Sequence, residues 1–181
     1  MSDTQTIIND ENMTFTEKII SLRKKPEVGR VSPGDTAVLG VDLAMTQDST
    51  GPLAMRSLNE MGIEKLWDPS RILLVIDHTY PAADEKVANL HLMIREFASK
   101  HGCMLVEGNI SHQWILERLT APGMVIFGAD SHTCQAGSLG AFATGIGSTE
   151  MAAIWATGEI WVIVPETIQI NLIGDLPNGV F

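Results

Sequence analysis

Cysteine is scarce in this chain of 181 residues, which contains only Cys103 and Cys134. No CxxC pair occurs in the sequence, and this absence excludes a zinc knuckle and a thioredoxin-type redox motif. A chain that is rich in methionine and poor in cysteine is typical of a reducing compartment, so we expect both thiols to be reduced and the protein to be cytoplasmic.

Basic residues and long apolar runs are also few. Lys and Arg together number 12 against 22 Asp and Glu, which gives a net charge of −10. Such a balance disfavours a nucleic-acid backbone or an anionic membrane as the main partner. The longest apolar runs fall far short of the roughly 20 residues that span a bilayer, and the polar N-terminus has no signal-peptide pattern. We expect neither a nucleic-acid nor a membrane partner.

What is present is the composition of one folded domain, with 45% apolar and 19% charged residues. A chain of this length corresponds to a single domain by the usual range of about 100–200 residues. The polar residues at the start predict a flexible tail over residues 1–12, followed by one domain over residues 13–181.

Predicted strands and helices alternate along the chain. Apolar runs predict strands over residues 36–43, 71–76, 103–106, 124–127, 162–164 and 168–173. Helical patterns, the first of which opens on a capping box at Thr14–Glu17, cover residues 14–25, 51–61, 83–100, 111–118 and 149–156. This alternation favours an α/β fold, a three-layer α/β/α domain with a mostly parallel sheet.

Polar residues follow each of the first four predicted strands. They include Gln47 and Asp48 after the first strand, Asp77 and His78 after the second, His112 after the third, and Asp130, Ser131 and His132 after the fourth. The carboxyl ends of parallel strands open onto one edge of a sheet, where ligands bind. We therefore expect three of the five histidines to converge there.

Two of these segments can form carboxylate–imidazole pairs, Asp77 with His78 and Asp130 with His132. In such a pair the aspartate fixes the tautomer of the histidine and raises its basicity. The hydroxyl of Ser131 and the amide of Gln47 can hold the carboxylates of a small polar acid. This set favours a proton-transfer or hydration site, while a mononuclear metal site remains an alternative.

Other polar or reactive residues have simpler structural interpretations. His91 and His101 belong to the long predicted helix, and we interpret both as structural. We interpret Cys103 as a small buried hydrophobe and Cys134 as a loop thiol. The glycines of residues 137–147 do not follow a strand in the GxGxxG arrangement, so we expect them to permit close backbone packing beside the site.

The motifs themselves resemble those of a known family. The segment VDLAMTQDSTGPLA over residues 41–54, Asp77-His78-x-x-Pro81, Gly108-x-x-Ser-His112-Gln113 and Gly128-Ala-Asp-Ser-His-Thr133 together resemble the aconitase superfamily. The glycine-rich residues 137–147, with Val164-Pro-Glu-Thr and residues 174–180, are similar to the large subunits of 3-isopropylmalate dehydratases. The archaeal type, which is shared with homoaconitase-like hydro-lyases, is the most similar.

The resemblance implies a fold like the first domain of aconitase and a hydro-lyase that uses a 4Fe–4S cluster. Such an enzyme dehydrates a 2-hydroxy di- or tricarboxylic acid and rehydrates the alkene on the neighbouring carbon. The 3-isopropylmalate type implies a step of leucine biosynthesis. Homoaconitase, aconitase and dimethylmalate-type hydro-lyases are the alternatives, as is a non-catalytic interaction module that reuses the fold.

By motif, the resemblance also implies a role for each site residue. Gln47 and Ser131 would bind substrate, and His112 would lie near substrate and cluster. Asp77 and His78 would assist departure of the hydroxyl group, and Asp130 with His132 would form the second catalytic pair.

Two departures from the family pattern bear on these implications. Isopropylmalate dehydratases commonly carry His at the position of Gln47, whereas aconitases carry Gln, so the identity of the hydroxy acid stays open. The three cluster cysteines of the family follow the region that this chain matches, two of them in a CxxC. The resemblance therefore implies that this chain alone ligates no metal. The remaining large-subunit domains and a small subunit would complete the enzyme.

Overall fold

A computed structural model describes residues 3–180 of the chain. Its helices are α1 (Asp3–Ile8), α2 (Phe15–Arg23), α3 (Gly51–Glu60), α4 (Glu85–His101), α5 (Ser111–Arg118) and α6 (Ser148–Thr157). Its strands are β1 (Lys24–Lys25), β2 (Thr36–Gly40), β3 (Leu43–Gln47), β4 (Ile72–Ile76), β5 (Met104–Glu107), β6 (Val125–Gly128), β7 (Phe142–Gly145) and β8 (Glu159–Ile163). Short 3-10 helices cover Pro69–Arg71 and Thr133–Leu139.

The centre of the fold is a parallel sheet of five strands in the order β5-β4-β3-β6-β7. Every residue of β3, β4 and β6 is buried, as expected for strands that are covered on both faces. One apolar core contains Met55 of α3, Ile94 of α4 and Trp155 of α6, and a second contains Ile115 of α5. The predicted three-layer α/β/α fold with a mostly parallel sheet is confirmed.

The strand order determines where a ligand can bind. From β3 the chain adds β4 and β5 on one side, and it then returns to add β6 and β7 on the other. Such a reversal leaves a crevice outside the carboxyl ends of the strands next to it. The turns that follow β3, β4 and β6 therefore meet at one edge of the sheet.

The predicted strand over residues 36–43 is two strands that belong to different sheets. β2 pairs antiparallel with β1 and β8 in a small separate sheet, and β3 lies at the centre of the parallel sheet. Asp42 stands between them, and its carboxylate accepts a hydrogen bond from the backbone N–H of Val125 (2.8 Å) and pairs with Arg23 and Arg71. Asp42 interrupts the apolar run, because burying a charged carboxylate between two apolar layers costs free energy.

Three other elements differ from the sequence predictions. The glycine-rich stretch contains β7, which was not expected there because residues 142–145 (FATG) have no strong strand pattern. The predicted strand over residues 168–173 is not formed, and Ile168 and Leu172 are 86% and 95% exposed. The segment assigned to a flexible tail contains α1, whose Ile7 is buried.

Several predicted boundaries agree with the structure. Thr14 and Glu17 form the predicted capping box at the start of α2, since the side chain of each accepts the backbone N–H of the other. In the described residues, no helix combines the length and the apolar character that crossing a bilayer requires.

We expect Asp42→Asn to lower the free energy of unfolding by about 2 kcal/mol, because the amide weakens the bond to Val125 and removes the counter-charge of Arg23. For a domain of this size that loss lowers Tm by about 4–8 °C. Thermal unfolding followed by circular dichroism measures it.

The matched control for this variant is Glu159→Gln, which breaks an ion pair with Lys25 whose side chains are 40% and 48% exposed. Exposed pairs contribute little, so its Tm is expected to stay close to that of the unchanged protein. Equal shifts of Tm in the two variants would show that Asp42 stabilises the β2–β3 junction no more than an exposed ion pair does.

Candidate functional site

The predicted site residues lie at the carboxyl ends of the parallel strands. Gln47 ends β3, Asp77 and His78 follow β4, His112 lies in the first turn of α5 after β5, and Asp130, Ser131 and His132 follow β6. Hydrogen bonds between these segments join them into two groups, one centred on Asp77 and one on Asp130.

The first group is the predicted Asp77–His78 pair. The Nδ1 atom of His78 lies 2.7 Å from Oδ1 of Asp77, and Oδ2 of Asp77 accepts the backbone N–H of Ser111 at 2.8 Å. The largest single influence on the pKa of His78 is partial burial, which disfavours the imidazolium. The hydrogen bond and charge of Asp77, with the charges of Asp48 and Asp130, outweigh burial and raise that pKa above its ordinary value.

The second group contains a different pair from the one that the sequence predicts. Oδ2 of Asp130 lies 2.8 Å from Nε2 of His112. Oδ1 of Asp130 accepts the backbone N–H of His132 at 3.1 Å and the hydroxyl of Thr133 at 2.9 Å. The predicted imidazole bond between Asp130 and His132 is therefore not formed. Helix α5 packs against the 3-10 helix after His132 and brings His112 to the carboxylate instead.

His132 nevertheless stays beside this pair. Its ring lies edge-on to that of His112, with the centroids 5.8 Å apart. His132 is exposed, whereas the side chains of His112 and Asp130 are only 12% and 9% exposed. The arrangement is a shielded aspartate–histidine pair with a second, accessible imidazole in front of it.

The two predicted substrate-binding residues differ in their freedom. Gln47 is buried, and its Oε1 accepts the backbone N–H and the hydroxyl of Ser49 at 2.5 and 2.6 Å. These bonds fix the orientation of the amide and leave its N–H₂ group as the available donor. Ser131 is exposed at the turn after β6.

The sequence analysis assigns no site role to Asp48 or His91, although the structure places both at this edge. Asp48 and His91 are each 2% exposed, and Nε2 of His91 lies 3.4 Å from Oδ2 of Asp48. The interpretation of His91 as structural is consistent with this burial. Asp48 follows β3 at the same edge as Asp77 and Asp130, and that position in the sequence is the signal from which a site role could have been assigned.

Close backbone packing beside the site depends on two glycines. A Cβ at Gly145 would overlap the backbone carbonyl of Asp130, and a Cβ at Gly128 would overlap the hydroxyl of Thr133. The interpretation of the 137–147 glycines as packing residues is confirmed at Gly145. Both glycines thus allow the chain after β6 to fold tightly around the Asp130 carboxylate.

A cleft of about 310 Å³ opens beside the first pair. It is lined by Asp77, His78, Tyr80, Gly108, Asn109 and Ile110. A cleft of this size, with polar groups from Asp77, His78, Tyr80 and Asn109, suits a small polar ligand. The His78 imidazole, 43% exposed, can reach such a ligand.

Two groups of three side chains have donor atoms close enough to hold a metal ion. They are His112, Asp130 and His132, and Asp48, Asp77 and His78, with the donor atoms of each group within 4.8 Å of one another. Asp48, Asp77 and Asp130 have six carboxylate oxygens between them, and each of these oxygens already accepts a hydrogen bond within the protein. We therefore interpret the two groups as acid–base pairs.

The two cysteines lie outside both groups. An iron–sulfur cluster takes several cysteine thiolates, and burial, which raises the pKa of Cys103 to about 11, favours the neutral thiol of that residue. Within residues 3–180, neither cysteine belongs to a group of three metal-ligating side chains.

Comparison with known proteins gives consistent matches. A model of the aconitase family (aconitate hydratase) matches residues 17–181. The chain is 45% identical over 172 residues to the 3-isopropylmalate dehydratase large subunit 1 of Methanopyrus kandleri, covering 93% of this chain and 40% of that protein. It is 46% identical over 168 residues to the 3-isopropylmalate dehydratase large subunit of Aquifex aeolicus, covering 91% of this chain and 38% of that protein.

A relative with a different name matches almost as well. The methanogen homoaconitase large subunit of Methanocaldococcus jannaschii is 42% identical over 170 residues, which is 92% of this chain and 39% of that protein. The chain thus spans about two fifths of the length of the curated relatives that it matches.

Proposed function

This chain belongs to the aconitase family, and from that membership we propose that it supplies the acid–base part of a hydro-lyase active site. The observation that carries the proposal is the pair of aspartate–histidine contacts, each 2.7–2.8 Å long, at one edge of the sheet. The proposed reaction removes water from a 2-hydroxy di- or tricarboxylic acid and adds it back to the neighbouring carbon.

His78 is the proposed general acid of the dehydration. Its imidazolium donates a proton to the departing hydroxyl group, which leaves as water, and the neutral imidazole takes the proton back from water in the reverse direction. Asp77 accepts from Nδ1 and stabilises the imidazolium, so that Nε2 is the atom directed at the substrate. The proton on the neighbouring carbon is taken by a base from outside this chain.

The second group binds and orients the acid. The hydroxyl of Ser131 and the amide N–H₂ of Gln47 are the proposed donors to a substrate carboxylate. Both are neutral groups that can donate hydrogen bonds at any working pH. The Asp130–His112 pair holds the turn that carries Ser131 and His132.

The proposed substrate is of the type named in the relatives. Both 3-isopropylmalate and homocitrate-type acids carry the 2-hydroxy acid group that these residues would recognise, and the former would place the chain in leucine biosynthesis. The proposed partners are the remaining large-subunit domains and a small subunit, and the proposed 4Fe–4S cluster would be held by cysteines outside this chain.

The acid role predicts a defined pH dependence. Dehydration requires the His78 imidazolium, so kcat/KM is expected to be constant at low pH and to fall as the pH rises through the raised pKa of His78. That fall lies above pH of about 6.5, the ordinary value for histidine. Initial rates, followed by the ultraviolet absorbance of the unsaturated acid across pH, measure it.

His78→Gln provides the comparison for this profile. It keeps a hydrogen-bonding side chain but cannot be protonated near neutral pH, so the falling limb is expected to vanish along with most of the rate. A limb that persists unchanged in His78→Gln would assign it to another group and remove the acid role from His78.

A further inference from the structure

Asp48 is a buried carboxylate to which the proposed reaction gives no role. It is 2% exposed and lies in the turn between β3 and α3. Burial, the largest single influence on its pKa, favours the neutral acid. Hydrogen bonds from Thr79, His78 and His91 together outweigh burial and lower the pKa of Asp48, so the group is a buried anion.

The bonds of Asp48 converge on the loop that carries His78. Oδ1 accepts the backbone N–H of His78 at 3.1 Å. Oδ2 accepts the backbone N–H of Thr79 at 2.9 Å and its hydroxyl at 2.5 Å. One carboxylate therefore holds two consecutive residues of the β4–α4 loop from the neighbouring strand end.

Asp48 also lies close to the His78 ring, and the imidazole of His91 contacts the Asp48 carboxylate. Oδ1 of Asp48 lies 3.7 Å from Nδ1 of His78, whereas Asp77 is bonded to the same nitrogen at 2.7 Å. Nε2 of His91, a fully buried residue of α4, lies 3.4 Å from Oδ2 of Asp48. A buried anion that has hydrogen-bond partners in both the β4–α4 loop and α4 has little freedom to move.

We propose that Asp48, braced by His91, is a positioning residue that fixes the backbone and the imidazole of His78 between two carboxylates. Its effect on catalysis rests on the proposed function, but its effect on His78 does not. The charged groups around His78 are Asp77 on the same loop, Asp48 after β3 and Asp130 after β6. A role limited to packing would act on stability and leave the ring of His78 unchanged.

The test is nuclear magnetic resonance of the full chain without substrate, with Asp48→Asn as the first variant. Titration of the ring signals is expected to show the pKa of His78 lowered by about 1 unit, because one nearby anion is lost. Backbone amide exchange at His78 and Thr79 is expected to be about tenfold faster, since each loses a charge-assisted bond. Asp68→Asn, the same change at the other end of β4, is the control and should alter neither quantity.

A second pair of variants separates positioning from packing. His91→Gln keeps a donor toward Asp48 and is expected to preserve slow amide exchange at His78. His91→Leu keeps the volume, removes the donor and is expected to speed that exchange. If Asp48→Asn does not fold, the comparison of His91→Gln with His91→Leu still tests the positioning role. Equal exchange at His78 in the two variants, or an unchanged pKa of His78 in folded Asp48→Asn, would overturn the proposal.

Kinetics then connect the positioning role to the reaction. In an active preparation, Asp48→Asn is expected to lower kcat about tenfold with KM nearly unchanged and to move the falling limb of the pH profile to lower pH. If the enzyme assembled with the proposed partners shows no hydro-lyase activity, the proposed function fails, and the resonance measurements still decide the role of Asp48.

Discussion

Asp77→Asn is expected to lower the rate of dehydration by about 100- to 10,000-fold while the chain still folds. The carboxylate of Asp77 bonds Nδ1 of His78 at 2.7 Å and accepts the N–H of Ser111. An amide can keep the bond from Ser111 but carries no charge to stabilise an imidazolium. Turnover of the enzyme that contains this chain measures the loss of rate, and its circular dichroism spectrum shows whether the chain still folds.

The matched control for this variant is Asp68→Asn, at the opposite end of the same strand. Asp68 caps the 3-10 helix before β4 and lies far from the carboxyl edge of the sheet. The rate of dehydration by the Asp68→Asn variant is expected to stay near that of the unchanged protein. If Asp77→Asn keeps full turnover, or if both variants lose it equally, Asp77 is not a catalytic residue.

Gly145→Ala is expected to reduce turnover about 100-fold, because a displacement of a site loop by about 1 Å has that effect. The added Cβ would overlap the backbone carbonyl of Asp130, which cannot yield as a flexible side chain can. The turn after β6 must therefore move, and with it the carboxylate that bonds His112 at 2.8 Å. Turnover and the ring signals of His112 report this movement.

Gly137→Ala is the control in the same glycine-rich stretch. Apart from the adjacent backbone, no heavy atom lies within 4 Å of the Cβ that it would add, so turnover and the His112 signals are expected to be unchanged. A Gly145→Ala protein with normal turnover and an undisturbed His112 would show that the tight fold around Asp130 is not required.

The sequence predicts the fold well wherever burial imposes a clear pattern. The apolar run at residues 72–76 is a strand covered on both faces, and the capping box at Thr14 starts α2. The predictions fail where tertiary contacts override local pattern. The pairing of Asp42 with two arginines divides one apolar run into β2 and β3, and β7 is a strand because β6 offers it an edge.

The site shows the same division between local and long-range information. The Asp77–His78 pair joins neighbours in sequence, and the structure contains it. Asp130 bonds the imidazole of His112 rather than that of His132, because α5 brings in a side chain that is distant in sequence. His91 lies at the edge of the site for a similar reason, since α4 brings it to Asp48, which is 43 residues earlier in the chain.

Anaerobic affinity purification of this chain from its source cells, with intact masses, iron content and hydro-lyase assays, tests most directly whether it supplies the acid–base part of such a site. We expect these residues to purify together with a CxxC and a third cysteine, in the same or another polypeptide, and to dehydrate a 2-hydroxy acid. A preparation that contains this chain alone, carries no iron and remains inactive with every such acid would contradict the proposed function.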